Sequence, residues 1–66
     1  MTIEIGQEAD NRWIAEVPSI PGALAYGDSR QEAVSRVETL VLRILADRLE
    51  HGEIAPEIAE VFTVAA

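Results

Sequence analysis

The chain has 66 residues, of which 48% are hydrophobic, with twelve acidic residues against five basic ones, for a formal net charge of −7. It has no cysteine, so disulfide staples and thiolate metal sites are excluded, and every basic residue is arginine. A domain this short buries only ~60% of the surface its unfolded chain exposes, so oligomerisation is the expected supplement to its stability.

The opening run, "MTIEIGQEAD", lacks the basic flank and apolar core of a signal peptide. No apolar run approaches the ~20 residues needed to span a bilayer, and a cytoplasmic protein is expected. Ile3 and Ile5 alternate with Glu4 and Gly6, which predicts a half-buried strand at roughly residues 2–8. Asp10 and Asn11 tolerate a left-handed turn, which predicts a hairpin into "RWIAEV". In that second strand Trp13, Ala15 and Val17 share one face, and Arg12, Ile14 and Glu16 share the other.

Pro18 has no N–H to give a ladder, so the second strand is expected to stop there. Pro21 and Gly22 carry the chemistry of the central pair of a type II turn, and "ALAYG" then reads as a short third strand. "SRQE" is a capping box in which Ser29 can accept from the Glu32 amide while Glu32 reaches back. Ala33, Val34, Val37, Leu40, Val41, Ile44, Leu45 and Leu49 draw one apolar stripe at helical spacing, which predicts a helix over roughly residues 29–51. Gly52 suits the position just past its end. Leu42 and Ala46 lie on the flank of the stripe, where a second subunit could pack. "IAEVFTV", residues 58–64, alternates enough to predict a fourth strand.

The expected fold is therefore α+β, in the order β-β-β-α-β, as a single domain over residues 1–66 with one long helix on one face of one sheet. A right-handed crossover would lay the last strand parallel to the first, the start of a ribonuclease-H-like sheet. The face away from the helix is left open for a partner.

Catalytic raw material is sparse. His51 is the one histidine and sits at a helix end, and no Ser/His/Asp set, phosphate loop or metal-spaced ligand set can be assembled. Glu4, Glu8 and Glu60 alone do not make the carboxylate cluster of a two-metal nuclease. No catalytic residue, metal or cofactor is expected, and a basic patch for nucleic acid is absent. "PSIP" fits a stiff connection better than a P-x-x-P ligand, since no arginine flanks it. Charge is unevenly placed: residues 28–51 hold five acids and four arginines, whereas the remainder holds seven acids and only Arg12. An acidic surface of that kind steers a basic partner.

The run "WIAEVPSIPGALAYGDSRQEAV" resembles the signature of HicB-type antitoxins, in which an aromatic strand is followed by A-x-V-P-x-[LI]-P-G, a small-residue strand, G-[DST]-[ST] and E-A at a helix start. Trp13, Ala15, Glu16, Val17, Pro18, Ile20, Pro21, Gly22, Tyr26, Gly27, Asp28, Ser29, Glu32 and Ala33 carry the likeness. Asn11 and Arg12 stand where many such proteins have glycine. The resemblance implies an antitoxin that neutralises a small, basic HicA-type ribonuclease by binding it, without enzyme activity of its own. Relatives often add a C-terminal DNA-binding domain; the sequence ends at Ala66, and direct operator binding is not expected of it. Candidate partner-facing residues are Glu8, Asp10, Ile14 and Glu16, on or beside the second strand. A homodimer or higher oligomer is expected in either case, and the competing expectation is a stand-alone oligomeric adaptor or regulatory domain without a toxin partner.

Overall fold

In a computed structural model, residues 1–65 are described. Three short strands, β1 (Glu4–Gln7), β2 (Trp13–Glu16) and β3 (Leu24–Gly27), precede one long helix, α1 (Arg30–Glu50), and a 3-10 turn at Pro56–Glu60. The strands form an antiparallel meander in the order β1-β2-β3. Its register sets Ala15 opposite both Ile5 and Ala25, and Trp13 opposite Gln7 and Gly27.

The β1–β2 hairpin turns through Ala9 and Asp10, with the Asn11 amide donating to the Glu8 carbonyl at 3.0 Å. Asn11 itself takes φ 71°, the left-handed position that glycine fills elsewhere. Beyond Glu16 the ladder closes with one more bond, Val17 N–H to the Ala23 carbonyl at 2.9 Å, and stops before Pro18. Two consecutive turns make the elbow: Ile20 N–H donates to Val17, and Ala23 N–H donates to Ile20. Gly22 at φ 83° occupies the positive-φ site that the second turn requires, as its pairing with Pro21 predicts. The double reversal aims Ile20 inward, where it is among the largest fully buried side chains.

The capping box forms with a shift. Ser29 Oγ accepts from the Glu32 amide at 3.1 Å, while Glu32 reaches the amide of Asp28 rather than that of Ser29. At the other end, Gly52 N–H donates to Leu49 and Glu53 N–H donates to Arg48, the paired bonds of a Schellman stop, with Gly52 at φ 69°. The apolar stripe buries Ala33, Val37, Val41 and Leu45 against Ala15, Val17, Ile20 and Ala23. Leu49 belongs to the stripe by spacing yet is 51% exposed. The reason is length: a helix of 21 residues runs about 31 Å, whereas strands of four residues run about 13 Å, so the last turns pass beyond the sheet.

The expected fourth strand is corrected. Residues 58–64 do not pair with β1; Pro56–Glu60 forms a 3-10 turn, and residues 62–65 follow without regular structure. Pro56 is preset for the first turn of a helix, and Ile58 packs against the core from there. Arg48 holds Glu57 at 3.4 Å, and the amino terminus holds Glu60 at 2.7 Å. The segment also sets apolar residues on both alternating faces, which weakens the case for a half-buried strand. The parallel pairing that a ribonuclease-H-like sheet requires is therefore not formed among the described residues.

Candidate protein-binding face

Alternation along each strand sends Ile5, Trp13, Ala15 and Ala25 toward α1 and leaves the other face uncovered. That open face is built in rows. One row is Gly6, Ile14 and Tyr26; the next is Glu4, Glu16 and Leu24. Ile14 is half-buried, and Leu24 and Tyr26 are exposed. Gly6 adds no side chain beside Ile14, and a Cβ built there would lie 3.5 Å from Ile14 Cγ2. The apolar centre of the face is thus shallow and accessible.

Electrostatics differ between the two ends. At the hairpin end, Arg12 Nε donates to Asp10 Oδ2 at 2.7 Å, and the Arg12 amide donates to Asp10 Oδ1 at 3.1 Å. The backbone bond from Arg12, with its side-chain bond and charge, holds the Asp10 carboxyl below its ordinary value. The same guanidinium lies 4.6 Å above the Tyr26 ring, a cation–π contact that fixes the ring beside Ile14. At the far end, Glu4 and Glu16 stand directly across from each other. Like charges in that position destabilise a sheet. A cationic group from a partner would remove the repulsion.

A cleft of about 550 Å³ adjoins this acidic end, lined by Glu4, Pro18, Ser19, Pro56, Glu57 and Glu60 together with the start of the chain. Glu57 and Glu60 are engaged by Arg48 and by the amino terminus. Among the described residues no group of three His, Asp or Glu converges as a metal site would.

The structure brings together only part of the sequence-derived set. Ile14 and Glu16 lie on the open face, and Glu8 follows on the same side next to Arg12. Asp10 sits in the hairpin turn with its charge answered by Arg12. Glu4, Leu24 and Tyr26 complete the face and were not in that set. Strand alternation could have found Glu4, but its position opposite Glu16 depends on hairpin register, which follows from the three-residue loop closed by Asn11.

The motif residues have structural places. Pro18, Pro21 and Gly22 make the elbow, and Ser29 and Glu32 cap α1. Gly27 lets helix and sheet approach closely, since a Cβ there would lie 2.5 Å from the Ala33 nitrogen. Arg36 spans the same junction, pairing with Glu32 at 2.9 Å and donating to the Tyr26 carbonyl at 2.9 Å. No helix is long and apolar enough to cross a membrane among the described residues. Compared with models of protein families, with curated proteins and with solved structures, the chain matches none.

Proposed function

We propose that this chain is an antitoxin of the HicB type, a cytoplasmic protein that acts by binding a small basic HicA-type ribonuclease and has no catalytic activity of its own. The observation that carries the reading is the open sheet face. It offers an apolar centre of Ile14, Leu24 and Tyr26 beside an uncompensated Glu4–Glu16 pair. Such a face suits a partner that brings an apolar contact and an arginine or lysine. The motif from Trp13 to Ala33 supports the same reading from the side of the scaffold, because it builds the elbow after β2 and the helix start after β3.

The test is co-expression with the product of the adjacent short, basic reading frame. Stable co-purification and loss of its mRNA-cleaving activity are expected. A partner that cleaves RNA equally well with and without the chain would reject the reading. The adaptor reading is favoured by a different observation, the exposed apolar side chains between residues 42 and 64. It predicts self-association with no adjacent toxin gene at all.

A further inference from the structure

We infer that a second copy of this chain covers the groove between α1 and β1, with residues 61–65 of each copy laid along the free edge of the other copy's β1. The inference does not depend on the antitoxin reading. Three features point to it: an unpaired edge, large apolar side chains left exposed along the overhang, and a shape that is too long for a chain of this length.

The edge comes first. Glu8 N–H donates to the Arg12 carbonyl at 2.7 Å. Antiparallel alternation then turns the backbone of Glu4 and Gly6 toward β2, and that of Ile3, Ile5 and Gln7 outward. No strand pairs with that outer side among the described residues. A free edge of this kind is a template for another strand. α1 lies mainly over β3 and β2, so the helix does not shield it. Beside the edge, Ile3, Val17, Val41, Leu42 and Val61, rimmed by Met1, Glu38 and Glu60, line a mostly apolar groove of about 280 Å³.

The surface comes second. Leu42, Leu49, Ile54, Val61, Phe62 and Val64 are all more than half exposed, Val64 reaching 93%. Side chains of this size present on the order of 700 Å² of apolar area, close to the ~800 Å² that each partner of a specific complex buries. Of these, Leu42 and Val61 share the groove beside the edge. Charge selects the occupant. The run "VFTVAA" is uncharged, residues 28–51 are nearly balanced, and of the two acids that rim the groove Glu60 is paired with the amino terminus, which leaves Glu38 as the main acid that two copies would have to accommodate there. A basic partner is drawn instead to the acidic end of the open sheet face, on the other side of the sheet.

The shape comes third. A compact chain of 66 residues has a radius of gyration of about 11 Å. This one has 13.6 Å, with extents of 49 × 22 × 16 Å. The excess length is the overhang of α1 and the segment after it. Closing the tail onto its own β1 would still leave Leu42, Leu49 and Ile54 in water, whereas a two-fold related copy covers both the overhang and the edge.

Light scattering on the full chain at tens of micromolar should return twice the 7.2 kDa chain mass. Hydrogen exchange should show the outward amides of Ile3, Ile5 and Gln7 protected. Phe62→Asp, and separately Val64→Asp, should weaken the dimer roughly a hundredfold, because both copies lose the contact. They should also release those amides, while helical circular dichroism is retained. If Phe62→Asp fails to fold, Val64→Asp decides, since that side chain touches little in one copy. A monomeric wild type overturns the inference, whether its edge amides are protected by its own tail or exposed. A dimer that survives in a folded variant with its edge amides still protected overturns it equally.

Discussion

Asn11 and Gly27 show how single backbone positions set the site, the first by conformation and the second by space. At φ 71°, Asn11 carries a strain that glycine would not feel. Asn11→Gly is expected to leave stability unchanged or slightly raised, and Asn11→Ala to lower it by about 1 kcal/mol. Denaturant titration checks both, and equal midpoints for the two variants would contradict the turn's role in fixing register. Gly27→Ala introduces a methyl group 2.5 Å from the Ala33 nitrogen, where only backbone could yield. A loss of about 1–3 kcal/mol is expected, because the helix must lift from β3. Asp10 adds a pH dependence. Its folded carboxyl titrates below the ordinary 3.8, so its contribution is complete above that value and is lost as the pH falls further, through the folded value. Replacing Asp10 by Asn should therefore lower stability slightly near neutrality, leave it unchanged at acid pH where Asp10 is protonated, and so flatten the acid limb of a stability-versus-pH curve.

Elements whose local chemistry and tertiary environment agree were legible in the sequence, and the one whose environment decides was not. α1 announces itself twice, through its apolar stripe and through Ser29, Glu32 and Gly52 at its ends, and the structure places it within one residue of the expected span 29–51 at each end. The elbow is equally legible because Pro18, Pro21 and Gly22 restrict the backbone by themselves. Residues 58–64 carry no such restriction. Their strand-like alternation is weak, and a strand needs an edge to pair with, so Pro56, Ile58, Glu57 and Glu60 could draw the start of the segment into a turn instead. The open face was half legible for a related reason. Which side a residue takes follows from alternation, but that Glu4 meets Glu16, or that Arg12 covers Tyr26, depends on pairing across strands.

At the scale of the whole molecule, the antitoxin reading makes the Glu4–Glu16 pair a compromise between fold stability and binding, and this opposition can be measured. Glu4 and Glu16 are cross-strand partners on the sheet of a protein whose net charge is already −7, so like-charge repulsion between them is expected to lower the stability of the free chain. Neutralising one, as Glu4→Gln or Glu16→Gln, should raise the unfolding free energy by a few tenths of a kcal/mol. Under the antitoxin reading the same change should weaken binding of a basic ribonuclease, chiefly by slowing association at low salt, because exposed charges act on encounter. The matched control is Asp47→Asn with Glu50→Gln, on the charge-balanced helix, which should alter neither quantity in that direction. Tyr26→Ala should instead speed dissociation, since it removes the apolar contact that holds the complex once it has formed. Stopped-flow association at low and high salt, set beside denaturant titration of the same variants, separates the effects. A variant at Glu4 or Glu16 that is more stable and also binds as fast as the unmodified chain would show that the acidic pair is not turned toward the partner.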